Sequence, residues 1–286
     1  MTRLSGLSEK EIAELSKISR KIREYVVSMI HAAKSGHTGG SLSAVDLLVV
    51  LYFKHLKHYK DWDKDPNWLE RDRFVLSKGH ASPTLYSVLA ESGYLNVEEL
   101  KTFRALYSRL QGHPTYGRLP GIEVSTGSLG QGLSLANGIA LGLKLDNRSS
   151  RVYCLLGDGE IQEGQVWEAA MSAAHYKLNN ITAIVDRNCL QIDGNTECVM
   201  SLEPVEEKWK GFGWQVIKIN GHDHQEIYEA LQQSISLSQE KNSPVMIIAD
   251  TVKGKGVSFM ENNPSWHGKA PNDEELKKAL EEIRGL

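Results

Sequence analysis

The sequence predicts an α/β protein whose parallel central sheet is covered by helices on both faces. Short apolar runs bounded by polar residues, Val152-Tyr153-Cys154-Leu155-Leu156 and Ile181-Thr182-Ala183-Ile184-Val185, read as strands buried on both sides. Between them Gln165 to Tyr176 has helical spacing, which makes the whole segment a strand, helix, strand crossover of the kind parallel sheets use. Strands and helices also alternate almost throughout the chain.

Taken in order, Ser8 to Ala33 places Ile12, Leu15, Ile18, Ile22, Val26 and Ile30 at helical intervals, with Ser8 as the cap and Glu11 completing a capping box. The loop Lys34-Ser35-Gly36-His37-Thr38-Gly39-Gly40 leads to a second helix expected from about Ser43 to Phe53. Asp72 to Leu76 reads as a short strand that ends at Ser77-Lys78-Gly79-His80, before a helix from about Ala81. Gln111 to Gly132 is rich in Gly, Pro, Ser and Thr and has no period; loops of that length are usually functional or disordered. A helix from Leu133 to Leu145 leads into the strand before Asp158. Beyond Asn188 come a polar turn at Asp193-Gly194, a helix near Val205 to Trp209, the strand Gln215 to Ile219, the helix His224 to Leu237 and the strand Val245 to Ala249. From Asn272 onward Leu276, Leu280 and Ile283 mark a surface helix. No repeat, low-complexity tract or linker interrupts the 286 residues, so residues 1–286 are read as one domain.

A formal net charge of −3, from 33 basic and 36 acidic residues intermixed, gives no sign of a nucleic-acid or anionic-membrane surface. Any anion must be bound locally. Apolar runs are too short to span a bilayer, and the opening Met-Thr-Arg-Leu-Ser-Gly-Leu-Ser lacks the apolar core of a secretory signal, so a cytoplasmic protein is expected. Three cysteines without a Cys-x-x-Cys pair suggest neither a disulfide framework nor a zinc site. Cys154 reads as a small core residue, and the position of Cys189 alone does not make its thiol catalytic.

Both strands of the crossover deliver polar residues at their carboxyl ends, where open α/β sheets bind ligands. One runs into Gly157-Asp158-Gly159, the other into Asp186-Arg187-Asn188. Gly-Asp-Gly alone is most simply a turn. With Asn188 at a matched strand end, it reads as a site for a metal and a diphosphate: glycines let N–H groups approach an anion, the following helix adds its positive end, and Asp158, Asn188 and a carbonyl near Leu190 offer the oxygens a hard cation such as Mg²⁺ prefers.

Histidine lies beside glycine at Gly36-His37, Gly79-His80, Gly112-His113 and His267-Gly268, all in expected loops. One such histidine is ordinarily structural; four that converge would hold hydroxyls, move protons and stabilise a developing alkoxide. Gly221-His222 is assigned to a turn. Lys253 and Lys255, interleaved with glycines, are read equally as a phosphate-facing loop or as two exposed lysines. Gly127-Ser128-Leu129-Gly130-Gln131-Gly132 opens a helix, but no strand directly precedes it, which argues against a dinucleotide fingerprint. Glu160 is expected on a solvated face, whereas Glu163 and Glu168 start a helix that would line an interface between two copies, where paired carboxylates can share protons.

These motifs, with Gly112-His113-Pro114, Glu163-Gly164 and Ile192-Asp193-Gly194, run through nearly the whole chain and resemble the transketolase family, in its cofactor-diphosphate-binding half. The resemblance implies the thiamine diphosphate-binding fold, with thiamine diphosphate and Mg²⁺, or Ca²⁺ or Mn²⁺ in its place. It implies that Asp158, Asn188 and the Leu190 carbonyl ligate the metal, and that the Gly157 to Gly159 backbone, His80 and His267 face the diphosphate. It sets Gly127 and Leu129 against the cofactor, His37 and His113 at the donor sugar's hydroxyls, and Glu163 and Glu168 in an acidic network between two active sites. Full-length transketolases continue through a pyrimidine-binding domain and a C-terminal domain that this sequence lacks. The resemblance is therefore to one subunit of a split transketolase, with a partner that carries the pyrimidine-binding domain and the glutamate that activates the cofactor, in an assembly of two copies of each chain. The implied reaction is ketol transfer between sugar phosphates.

Alternatives in the same cofactor class are a chain from a 1-deoxyxylulose-5-phosphate synthase-like enzyme, a 2-oxo acid dehydrogenase component and a transketolase specialised for unusual sugars; His37 and His113 favour ketol transfer. Readings from other classes are a non-catalytic chain that serves assembly alone and a nicotinamide-binding oxidoreductase.

Overall fold

The computed structural model describes residues 6–59, 65 and 68–285. Met1 to Ser5 of the segment read for a secretory signal, and Leu286 of the expected single domain, lie outside them. Helix α1, Glu9–Ala33, begins with the expected capping box: the Ser8 hydroxyl accepts the Glu11 N–H and the Glu11 carboxylate accepts the Ser8 N–H. Its apolar stripe is buried. The second helix departs from expectation, starting earlier as α2, Thr38–Ser43, breaking at Ala44 and continuing as α3, Val45–Val50, with a π turn at Leu51–His55. Gly39 and Gly40 read as loop residues, yet helical Gly39 is small because the chain passes so near: a Cβ there would lie 2.9 Å from Lys253 Cγ. Close packing overrides propensity at this point.

The remaining elements follow the expected alternation: β1 (Arg73–Leu76), α4 (Ser82–Glu91), α5 (Gly132–Leu145), β2 (Val152–Gly157), α6 (Gly164–His175) and β3 (Ile181–Arg187). A small antiparallel hairpin, β4 (Leu190–Gln191) and β5 (Gly194–Asn195), turns at the polar residues between them. After it come α7 (Thr196–Val199), α8 (Val205–Gly211), β6 (Gln215–Asn220), α9 (His224–Lys241), β7 (Val245–Asp250) and α10 (Asp273–Arg284). The main sheet is parallel throughout, in the order β1-β2-β3-β7-β6.

Period-two alternation splits the strands between two apolar layers. Phe74, Leu76, Tyr153, Leu155, Ile184 and Ile247 face α1, α3, α4 and α9. Val75, Cys154, Leu156, Ala183, Val185 and Ile248 face α5, α6 and α8. Both faces are covered, which is why the strands read as continuous apolar runs. The tail helix α10 is less superficial than expected, since it packs on α1 and buries Ala279 and Ile283.

Candidate functional site

Because every strand of the sheet points the same way, the ends of β1, β2, β3 and β7 present their polar residues along one rim. Gly157 pairs in register with Asp186, so the residues that follow, Asp158 and Asn188, emerge side by side into a cleft of about 220 Å³. Leu190, Lys78, His80, Lys253 and His267 line the same cleft.

The donors there are part-used. Asp158 is buried; its Oδ2 accepts the Cys189 N–H at 2.5 Å and Arg187 Nη1 at 3.2 Å, while Oδ1 accepts the Gly159 N–H at 2.8 Å. An ionised carboxylate has about four lone-pair sites, so capacity remains. Burial raises the Asp158 carboxyl, with Asp186 adding to it against Arg187 and the two amides, and a cation at the free lone pair would relieve that. Among the described residues Asn188 Oδ1 accepts only the Leu190 N–H, at 3.1 Å, and the Leu190 carbonyl accepts Lys253 Nζ at 3.0 Å. Each of these oxygens can take one more partner. Among the described residues no group of three His, Cys, Asp or Glu side chains can hold a metal unaided. The donor set thus fits a hard divalent cation that completes its shell with a ligand's own oxygens.

Cations and imidazoles lie beside these oxygens, Lys78, His80, Lys253 and His267 lining the same cleft. Lys78 is fully buried, donating to Asp186 Oδ2 at 2.5 Å and to the Gly40 carbonyl at 2.8 Å. Burial, reinforced by Lys78, lowers the Lys253 ammonium to about 8. The ring of His37 lies 5.1 Å from that of His80, 5.4 Å from His267 and 6.5 Å from His113, so the four loops do converge. Burial depresses all four imidazoles, His37 to about 4 and His267 to about 3, with Arg104, Lys253 and Lys78 adding repulsion. They are neutral at neutral pH. Since Lys253 Nζ donates to His267 Nδ1 at 2.8 Å, the His267 proton sits on Nε2, while His37 Nδ1 is buried without a partner among the described residues.

Of the other anticipated residues, Leu129 and Glu163 line the cleft and both are exposed; Glu168 stands outside it, exposed on α6. Gly127 sits behind the histidines, at φ +136° and so close to His113 that a Cβ would lie 2.9 Å from its Cγ. It shapes the wall there.

Glu160 corrects the sequence reading. Instead of facing solvent it is 2% exposed, accepting the Ser77 hydroxyl at 2.5 Å and the N–H groups of Gly130 and Gly157 at 3.0 and 2.9 Å. Two of these donors come from loops distant in sequence and the third from the end of β2, a convergence that no local pattern reveals. Lys78 carries no assignment from sequence, and the two lysines after β7 separate only in the fold: Lys253 is buried, whereas Lys255 is partly exposed. The available signal was position, since a lysine two or three residues past a doubly buried strand has little route to water.

Residues 15–285 match the sequence profile of the transketolase thiamine diphosphate binding domain. The chain belongs to the transketolase family. It is 42% identical to an apulose-4-phosphate transketolase subunit of Phocaeicola vulgatus, over 96% of its own length and 95% of that protein's. The 6-deoxy-6-sulfo-D-fructose transketolase subunit SqwG of a Clostridium species is also 42% identical, over 97% of this chain and 98% of that protein. The transketolase of Campylobacter jejuni superimposes with a TM-score of 0.88 at 40% identity, over 96% of this chain but 43% of that one. Against full-length transketolases, then, the chain spans about two fifths of their length. The family match bears out the expected α/β fold and thiamine diphosphate class. No helix among the described residues is long and apolar enough to cross a membrane.

Proposed function

We propose that residues 1–286 form the single diphosphate-binding domain of a split transketolase, a subunit that transfers a two-carbon ketol unit from a ketose phosphate to an aldose phosphate. The observation that carries this reading is the meeting, in one cleft, of oxygen donors with free lone pairs and a wall of cations and neutral imidazoles. In this reading Asp158, Asn188 and the Leu190 carbonyl hold Mg²⁺. The Gly159 N–H, His80, His267 and Lys253 face the diphosphate, and Leu129 lies against the cofactor's rings. Bound thiamine diphosphate supplies the carbanion that carries the ketol unit. His37 and His113, neutral and beside each other, hold the sugar hydroxyls and move protons at those oxygens.

Relatives named as subunits match along nearly their entire length, which supports a partner chain bearing the pyrimidine-binding domain. Exposed Glu163 and Glu168 then face a second copy within an assembly of two of each chain. The purified chain alone is expected to be inactive, and to gain ketol transfer from xylulose 5-phosphate to ribose 5-phosphate when mixed with its partner, thiamine diphosphate and Mg²⁺. Turnover without the partner would overturn the split-site reading. A second reading, a transketolase for an unusual sugar, is favoured by the named substrates of those two relatives; turnover of apulose 4-phosphate or sulfofructose in preference to xylulose 5-phosphate would select it.

A further inference from the structure

Away from the cleft, a second buried polar cluster surrounds Asp46 on α3. Both its oxygens accept from Arg23, Oδ1 from Nη1 at 3.1 Å and Oδ2 from Nη2 at 2.6 Å. His222 Nδ1 lies 2.8 Å from Oδ2, and His224 Nε2 lies 3.4 Å from Oδ1 and 3.0 Å from Ser19 Oγ. Burial alone would raise the Asp46 carboxyl, but the Arg23 charge and the histidine hydrogen bonds hold it well below the usual range.

The outer ends of this cluster grip one short loop. His222 Nε2 accepts the Val252 N–H at 2.8 Å, which fixes its tautomer: the proton sits on Nδ1 and is donated to Asp46. Arg23 Nε donates to the Lys255 carbonyl at 3.1 Å. Between these two attachments stands Lys253, whose ammonium reaches across to the Leu190 carbonyl and His267 Nδ1. Gly221-His222 is a turn, as expected, but its imidazole is tied at both nitrogens.

We infer that Asp46, through His222 and Arg23, is a bracket that positions Lys253 in the cleft, making His222 a positioning residue for anion binding. The inference rests on the reading of Lys253 as a diphosphate-facing cation. A carboxylate and an arginine hold the bracket's geometry, and the Val252 N–H bond transmits it to the neighbouring backbone.

The test uses the full chain assembled with its partner, with thiamine diphosphate titrated at saturating Mg²⁺. His222→Ala should raise the half-saturating cofactor concentration about tenfold, with kcat at saturation falling much less. His222→Gln, whose amide oxygen can accept the Val252 N–H, should recover most of the loss. In a Lys253→Met background, His222→Ala should add little, because both changes act through one ammonium. In the full chain alone, amide exchange should quicken at residues 252–254 in His222→Ala and not within β7. An unchanged cofactor dependence in His222→Ala beside an impaired Lys253→Met, or a full additional loss in the double variant, would overturn the bracket alone. A silent Lys253→Met would remove the reading of Lys253, and the inference with it.

Discussion

The molecule has two buried polar regions built on opposite principles. Around Asp46, charge closes on itself: one carboxylate meets one guanidinium and two imidazoles, and each partner has a second bond into the fold. At the sheet's carboxyl rim the reverse holds. Lys78 has Asp186, but Lys253 and Arg104 make no ion pair among the described residues, four imidazoles are pressed toward neutrality, and His37 Nδ1 is buried with no partner. A closed network is a positioning device; an open one, rich in cations and unused lone pairs, is what an anionic ligand and its cation complete. Function is therefore expected to fail first at the rim, and folding first at Asp46.

The sharpest way to break that contrast is Asp158→Ala. Removing the one carboxylate proposed to ligate a metal should abolish cofactor retention and lower ketol transfer by about a thousandfold or more, an effect of the size expected when most of a cofactor's electrostatic anchoring is lost. Magnesium-dependent thiamine diphosphate binding that survives the change would remove Asp158 from the site. Asp46→Ala should act on the other axis. It leaves buried Arg23 without its carboxylate, and breaking such a pair costs about 3–5 kcal/mol of folding stability. Urea unfolding of the full chain measures this; a loss below about 1 kcal/mol would show that the cluster is not the closed network its geometry describes.

How much of this was legible in the sequence follows from how local each signal is. The apolar runs of β2 and β3, the capping box of α1 and the glycine-flanked Asp158 are written in neighbouring residues, so they were readable. The gathering of His37, His80, His113 and His267 was legible only as a recurrence of glycine-histidine pairs. Glu160 was not legible: a glutamate one residue past a glycine looks solvated until the Gly130 loop and Ser77 fold onto it. For the same reason Asp46 is not legible inside an apolar helix, since its partners come from α1, from the turn before α9 and from the first residue of α9. The start of α2 was misplaced because Gly39 serves the passage of Lys253, a contact more than two hundred positions away.

The smallest expected effect separates the two regions by pH. His37 titrates near 4 and His267 near 3 in the folded chain, against about 6.5 when unfolded. Above pH 6.5 both states leave these rings neutral, and they contribute no slope. As pH falls through 6.5 the unfolded chain takes up protons that the fold refuses, so stability declines from there toward pH 4. The carboxylates of Glu11 and Glu197, held near 2, extend the decline only below about 4.5, while Asp158 and Glu160, raised by burial, act in the opposite sense. The histidine share is isolated by difference. Unfolding free energies of the wild-type chain and of the His37→Gln, His267→Gln double variant, measured at pH 7.5, 5.5 and 4.5, should diverge on acidification, with the variant losing less stability. Parallel curves would mean that the rim histidines accept protons in the folded state as readily as in the unfolded one, and the cleft would then carry positive imidazoles once the pH falls below about 6.5.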